Sequence, residues 1–168
     1  MWWILIGAAV AGEPSLTGTW VLDETDEALR ARHEAAVQSA LDQLPWALRP
    51  LARSPLQQII GNCRELELGV HTETFRLRCD AHPELRVDPR RSPQPVEGQN
   101  GEPIEMRIEA APHAATLAFQ GPEGGQRTAY HLDGDRLVVT TRLQGERLPE
   151  PVTWTVRYRR AAAGDSSG

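Results

Sequence analysis

The chain has 168 residues and a formal net charge of −5. That length is typical of a single domain and is sufficient to bury a substantial core. The acidic balance argues against nucleic acid as a partner, because the basic clusters are no larger than the arginine pairs at 90–91 and 159–160. All 18 basic residues are Arg, a bias typical of GC-rich bacterial genomes. The lack of Lys excludes Schiff-base catalysis and a Walker-type phosphate loop.

The N-terminal segment MWWILIGAAVA is apolar throughout and ends in a small-x-small pattern. This pattern predicts a signal peptide over residues 1–11, cleaved before Gly12, and hence a periplasmic or secreted bacterial protein. Because the segment contains neither Lys nor Arg, an ordinary buried N-terminal segment is the alternative. The segment is too short to cross a bilayer, which takes about 20 apolar residues. No other stretch approaches that length, so the sequence predicts no transmembrane segment.

A helical rhythm follows over residues 24–44, where apolar residues recur every three or four positions. Thr25 or Asp23 is available to cap the first turn, and Pro45 ends the pattern. The segment after it is interrupted by two prolines and is expected to form at most one or two short helical turns. The sequence therefore predicts a helical insertion over residues 24–58.

From residue 59 onward the pattern changes to strict alternation of apolar and polar residues, which is typical of half-buried strands. The predicted strands cover residues 16–22, 59–68, 74–79, 84–88, 104–110, 115–120, 126–132, 136–143 and 152–160. The segment 86–102, rich in Pro, Gly and charge, predicts a long surface loop, and residues 161–168 predict a disordered tail. We expect a mainly β domain over residues 12–160, an antiparallel up-and-down barrel of eight or nine strands, since closure removes exposed edges.

Cys63 and Cys79 are the only two cysteines, and in an exported chain they predict one disulfide bond. A hairpin turn near His71 would place them opposite each other on two strands. The alternation, however, puts Cys63 on the polar side and Cys79 on the apolar side of their strands. The pairing therefore requires a β-bulge near Gly61–Asn62, and two unpaired thiols are the alternative.

Two stretches resemble a known group of barrels. Gly18-Thr19-Trp20 on the first predicted strand resembles the G-x-W signature of the lipocalin-like families of the calycin superfamily. The segments YHLDGDRLVVTTRL and VTWTVRYRR resemble the last strands of lipocalin-like domains in exported bacterial proteins. The resemblance implies that Trp20 lies at the closed end of the barrel, with Arg157 or Arg159 packed across its ring. The helical insertion departs from the simple lipocalin pattern, in which a lid loop occupies that place.

Motifs for catalysis or metal binding are incomplete. There is no G-x-S-x-G nucleophile turn, and HEAAV begins like the zinc motif H-E-x-x-H but has Val37 in place of the second His. Cys79 and His82 have a spacing that a metal could use, but a disulfide or a strand end accounts for the same residues. Acidic pairs such as Glu105 and Glu109 alternate with Arg, as on a solvated strand face. The sequence therefore predicts no enzyme activity, no cofactor and no metal.

The inward face of the predicted barrel is the remaining candidate site. Its residues are Met106, Leu117, Phe119, Tyr130, Leu137, Val139 and Trp154. In a small barrel such a face either fills the interior or leaves room for one small ligand. We expect a non-catalytic module that binds a small lipophilic molecule, with the insertion 24–58 as lid or plug. The alternative is an envelope structural or interaction protein with a filled barrel, whose protein partner the sequence does not name.

Overall fold

The computed structural model describes residues 14–61, 63–98 and 101–162. The predicted signal peptide, Asn62 of the expected bulge, and residues 163–168 of the expected tail lie outside the described residues. Within the described ranges, ten strands and two α-helices follow one another along the chain. In order they are β1 (Gly18–Leu22), α1 (Asp26–Asp42), α2 (Arg49–Ile59), β2 (Glu65–His71), β3 (Thr74–Cys79), β4 (Leu85–Val87), β5 (Gln94–Glu97), β6 (Pro103–Ala111), β7 (Ala114–Gly121), β8 (Gly124–Asp133), β9 (Arg136–Gly145) and β10 (Leu148–Arg160).

The strands form one antiparallel sheet in the order β4-β3-β2-β1-β10-β9-β8-β7-β6-β5. The sheet curls until Cα atoms of β2 lie within 8 Å of Cα atoms of β6. The backbone N–H of Leu16 donates to the carbonyl of Pro112 in the β6–β7 turn, at 2.6 Å, and ties the chain start to the far side of the curl. In the part of the chain that the structure describes, no strand pairing joins β4 to β5. The result is a curled half-barrel with two edges.

The strand count is ten, so the expectation of eight or nine was wrong. The additional strand is β5, which lies inside the segment predicted to be a surface loop and pairs with β6. Pro95 makes this strand difficult to recognise in the sequence, because a proline cannot donate a hydrogen bond to a neighbouring strand. An edge strand tolerates that loss, since only one of its two sides pairs with a neighbour.

The second helix is longer than its prolines indicated. α2 runs for 11 residues to Ile59, so β2 begins at Glu65 and not at residue 59 as expected. Pro50 lies in the first turn, where the backbone N–H has no partner within a helix. Pro55 lies within the helix, but the neighbouring Leu56 is buried in the core. Tertiary packing of the apolar face therefore outweighs the low helix propensity of proline at this position.

The first helix begins as the sequence predicted and packs along β10. Thr25 is the N-cap, and its Oγ1 accepts a hydrogen bond from the N–H of Ala28 at 3.2 Å. The guanidinium of Arg32 donates to the carbonyl of Thr155, and the side chain of Gln43 accepts from the N–H of Glu150 at 2.9 Å. Because the short β1 pairs only with the last three residues of β10, α1 lies beside the part of β10 that β1 leaves unpaired.

One apolar core joins the helices to the sheet. It contains residues of both helices and of the strands, including Val37, Leu41, Leu56, Trp20, Phe75, Leu137, Val156 and Tyr158. The helical segment 24–58 thus shares its core with the sheet. No helix in the described ranges is both long and apolar enough to span a membrane.

The predicted disulfide between Cys63 and Cys79 is confirmed, with the two Cα atoms 5.2 Å apart. The conflict in side-chain direction disappears because Cys63 precedes β2, where strand alternation does not apply. Cys79 ends β3 opposite Leu66. The carboxylate of Asp80 accepts hydrogen bonds from the N–H groups of Arg64 and Glu65, at 2.9 and 2.8 Å, and so orders this corner.

Candidate functional site

One end of the half-barrel is closed by Trp20 and Arg160. The Arg160 guanidinium carbon lies 4.3 Å from the Trp20 ring centroid, in cation–π geometry. The same guanidinium donates to the carbonyls of Ser15, at 2.7 Å, and Thr17, at 3.0 Å. The indole Nε1 of Trp20 donates to the carbonyl of Leu16 at 2.9 Å. These contacts fix the N-terminal segment across the bottom of the core.

The arginine across Trp20 is therefore Arg160, and the expected Arg157 or Arg159 was wrong. On β10 the buried residues Trp154 and Tyr158 have even numbers, so residues 157 and 159 belong to the exposed outer face. Arg160 has the inward parity and is the direct cross-strand partner of Trp20. The sequence contains this alternation, which distinguishes the three arginines.

Gly18 completes the closed end. Its φ of +145° lies in a region that L side chains rarely adopt, and a Cβ there would lie 2.5 Å from Nη1 of Arg160. A side chain at this position would displace the guanidinium from Trp20. In the G-x-W motif, Gly18 thus leaves room for the guanidinium of Arg160, and Trp20 provides the ring on which that guanidinium packs.

An apolar groove lies at the opposite end, between α2 and the β7–β8 and β9–β10 turns. Its volume is about 460 Å³, within the range of about 300–1,000 Å³ typical of small-molecule sites. Its lining residues are Leu44, Leu48, Leu51, Ala52, Pro55, Leu56, Ile59, Glu123, Leu143, Gln144, Gly145, Glu146, Arg147 and Leu148. We call this space the rim groove.

The rim groove has a buried floor and exposed walls. Leu56 and Leu143 are buried and belong to the core, so they form the floor. Leu51 is 75% exposed and Ile59 is 39% exposed, both on the α2 side. Trp46, just before α2, is 82% exposed, although it does not line the groove. Large apolar side chains in water at the entrance of an apolar groove mark a binding surface.

The sequence interpretation did not identify the rim groove. Its apolar residues on the α2 side recur at helical spacing, and this spacing is the signal that could have found them: the N-cap Leu48, then Leu51, Ala52, Pro55, Leu56 and Ile59. The prolines in the segment obscured the helix and therefore the apolar stripe. The wall formed by the β9–β10 turn depends on the packing of that turn against α2, which no local pattern encodes.

A short row of polar side chains crosses the inner face of β8, β9 and β10. Thr128 and Thr141 are buried, and their Oγ1 atoms are 3.3 Å apart, at hydrogen-bond distance. Trp154 is 4% exposed, and its Nε1 has no hydrogen-bond partner among the residues that the structure describes. We call these three residues the polar row. Thr128 and Thr141 were missed from the sequence, although their alternation with Tyr130 and Val139 places them on the inner face.

The structure gathers the predicted interior residues in one core. Six of them are buried, namely Met106, Leu117, Tyr130, Leu137, Val139 and Trp154, and the seventh, Phe119, is half-buried against the same cluster. None of the seven lines the rim groove. Trp154 also borders a second, more polar groove of about 540 Å³ between α1 and β10. The predicted face therefore lies below the groove, within the core.

Glu24 brings a charge close to the interior, since its side chain is 10% exposed and its carboxylate pairs with the guanidinium of Arg32 at 2.6 Å. Besides aromatic residues, the polar side chains in the buried class of the described ranges are Thr128 and Thr141 alone. Burial raises the pKa of the Tyr130 and Tyr158 hydroxyls, so both stay protonated at neutral pH. The hydroxyl of Tyr158 donates to the carbonyl of Cys63 at 2.9 Å. The inner surface is therefore apolar with a few neutral hydrogen-bonding groups.

The other residues considered for chemistry lie elsewhere. Cys79 is bonded to Cys63, which removes a thiolate from the pair with His82. Over the described ranges, no three His, Cys, Asp or Glu side chains converge as a metal site requires. His33 on α1 has its pKa lowered, first by burial and then by the charge of Arg32. Glu105 is exposed and ion-paired with Arg107 at 2.6 Å.

Comparison with known proteins identifies a fold and no family. No family model matches the chain, and no curated protein matches it. A solved structure described as the REP1-NXSQ fatty acid transporter is 10% identical, covers 88% of this chain and 96% of its own, and has a TM-score of 0.51. Fatty-acid-binding protein 1 of Echinococcus granulosus is 10% identical, with coverage of 88% and 98% and a TM-score of 0.50.

The fluorescent protein UnaG is similar to the same degree, at 10% identity, coverage of 87% and 97%, and a TM-score of 0.50. At this identity the likeness concerns the fold alone. It supports a curled antiparallel β-barrel fold of the kind that the G-x-W resemblance implied. The ten strands and the two helices after the first strand are consistent with the fold of these structures.

Proposed function

We propose that the chain is a non-catalytic binding module for a small lipophilic molecule, which binds in the rim groove. The observation that carries the proposal is the rim groove itself, an apolar space of about 460 Å³ with a buried floor and exposed leucines at its entrance. Burial of a ligand's apolar surface there supplies about 25 cal/mol for each Å² removed from water. The likeness to proteins named for fatty acids supports this reading.

In this proposal α2 is the lid. It contributes much of the apolar wall of the groove, and Leu51 on this helix is 75% exposed. A ligand that covers Leu51 and Ile59 removes apolar surface from water that the protein alone leaves exposed. We further propose that the protein is exported, because one disulfide in a small domain fits an oxidising compartment.

The test is a fluorescence titration with Nile red, a neutral lipophile whose emission rises in apolar surroundings. The Leu51→Asp variant places a charge in the groove wall and is expected to weaken binding by about 10-fold or more. Trp46→Asp is the matched control, since Trp46 is exposed nearby but does not line the groove. Absence of saturable binding to the unmodified protein would overturn the proposal, as would equal losses in both variants.

An interaction role without a small-molecule ligand is the second candidate. Trp46 and Leu51, at 82% and 75% exposure, form apolar surface of the kind that meets a partner. Native mass spectrometry of the protein purified from its own host distinguishes the two functions. A co-purified small molecule supports the binding module, whereas a bare mass together with no Nile red binding supports the interaction role.

A further inference from the structure

We propose that the ligand of the rim groove is an amphiphile with a positively charged head group, such as an alkylammonium ion, and that Glu123 and Glu146 bind this head. The inference rests on the proposed function and specifies the class of ligand. It follows from three features of the rim groove, namely the position of these two carboxylates, their lack of partners in the described ranges, and the balance of charge along the groove walls.

Glu123 and Glu146 lie beside each other in the two turns that border the rim groove. Gly124 and Gly145 are direct partners at the ends of β8 and β9, and the two glutamates occupy the next position in the same register. The N–H of Glu146 donates to the carbonyl of Glu123 at 3.0 Å, which ties the turns together. Residues opposed in this way have Cβ atoms about 5 Å apart and side chains on the same face. Since both residues line the groove, its turn side has two neighbouring acidic side chains.

No neighbouring side chain neutralises the two glutamates. Over the residues that the structure describes, Glu123 and Glu146 take part in no ion pair and in no side-chain hydrogen bond. Like charges directly opposed on two strands are unfavourable, because each carboxylate repels the other. A cation placed between them replaces this repulsion by two attractions, whereas an anion adds to the repulsion. The pair therefore favours a positively charged ligand.

The other charges near the rim groove leave its turn side negative. Among the described residues that line the groove, Arg147 is the only basic one, and it pairs with neither glutamate. The two arginines of α2 do not line the groove and are bound to α1, Arg49 to Asp42 at 3.8 Å and Arg53 to Glu34 at 2.7 Å. The groove lining therefore has one more acidic than basic side chain.

The opposite wall of the rim groove fits the hydrocarbon part of an amphiphile. Leu48, Leu51 and Ile59 line the α2 side and are exposed, so a chain that covers them removes apolar surface from water. Glu123 and Glu146 are exposed as well. An ammonium head beside them keeps part of its hydration and avoids the large desolvation cost of a buried ion. One molecule thus contacts the leucines with its chain and the carboxylates with its head.

The test compares decylammonium, decanol and decanoate by isothermal titration calorimetry at neutral pH, at low ionic strength and below the concentrations at which micelles form. The three ligands share a chain length and differ in the charge of the head group. Decylammonium is expected to bind about 3- to 10-fold tighter than decanol, the value of one or two exposed ion pairs. Decanoate should bind more weakly than decanol. Added salt should reduce the preference for decylammonium, because salt screens exposed charges.

Three variants assign the preference to the two glutamates. Glu123→Gln and Glu146→Gln each remove one charge with little change of shape, and each should weaken decylammonium about 2- to 5-fold without changing decanol. Glu146→Arg reverses a charge of the groove and should make decanoate bind tighter than decylammonium. Glu109→Gln is the matched control, since Glu109 is exposed on β6 and does not line the groove. It changes the net charge of the protein as the other Gln variants do, and it should change neither ligand.

The outcomes separate the two proposals. Failure of Nile red and of all three alkyl ligands to bind overturns the proposed function together with this inference. Binding of Nile red without any preference for decylammonium overturns the inference alone. The same holds for an affinity for decylammonium that both groove Gln variants leave unchanged, or that Glu109→Gln lowers equally. A preference that Glu123→Gln or Glu146→Gln reduces, and that Glu109→Gln retains, supports the assignment of the ligand class.

Discussion

Replacing Arg160 by Met should destabilise the closed end of the half-barrel while leaving the apolar part of the side chain in place. The substitution removes one cation–π contact with Trp20, which is worth about 0.5–1 kcal/mol at an exposed site. It also removes the hydrogen bonds to the carbonyls of Ser15 and Thr17, each worth about 0.5–1.5 kcal/mol. The expected loss in the free energy of unfolding is therefore about 2 kcal/mol.

Urea unfolding under oxidising conditions measures this loss, as a lower midpoint with an unchanged denaturant slope. The control is Arg142→Met on the exposed face of β9, for which we expect a change below about 0.5 kcal/mol. Arg160→Lys keeps the charge but not the two-pronged donor geometry, so it should recover only part of the loss. Equal stability of Arg160→Met and the unmodified protein would refute the role of the guanidinium, and an equal loss in Arg142→Met would show a non-specific charge effect.

Three further predictions concern other parts of the fold. Replacing both Cys63 and Cys79 by Ser should lower the free energy of unfolding by about 3 kcal/mol, because the bond spans 16 residues. A reducing agent should lower the stability of the unmodified protein and leave that of the double variant unchanged. Thr25→Ala should cost about 1 kcal/mol in thermal unfolding, whereas Thr25→Ser keeps the cap; equal losses would contradict the capping role. Burial raises the pKa of Tyr130 and Tyr158, so unfolding free energy should be level below pH about 10 and fall above it by about 1.4 kcal/mol per pH unit for each tyrosine. Absorbance of tyrosinate during alkaline titration should then rise together with unfolding, and a rise in the folded protein would contradict the burial argument.

Local patterns predicted those parts of the molecule that depend on near neighbours in the chain. The Thr25 cap and the Asp133-Gly134 turn are examples, and Gly134 has the positive φ, 61°, that such a turn requires. The disulfide followed from the presence of two cysteines and the expectation of an exported chain, although its geometry depended on where β2 begins. The residues that form the Thr25 cap and the Gly134 turn lie only a few positions apart in the chain. The two cysteines are the only two in the sequence, so a disulfide within the chain has one possible pairing.

The missed features depend on packing between distant segments. α2 persists through Pro55 because Leu56 is buried among residues from the rest of the chain. β5 forms because β6 offers a free edge, a fact that the Pro-rich segment itself does not encode. The polar row was within reach of the sequence, since strand alternation places Thr128 and Thr141 inward.

The likeness in fold to proteins named for fatty acids does not identify a ligand, because the side chains of a site, and not the fold, select what it binds. In this chain the residues expected to face a barrel interior pack into the core, so the proposed binding site is the rim groove at one end. Under the proposed function, the leucines of α2 bind the hydrocarbon part of a ligand, but apolar burial alone distinguishes poorly between lipophiles of similar length. Discrimination then depends on the polar and charged residues of the two turns that border the groove, Glu123, Gln144, Glu146 and Arg147.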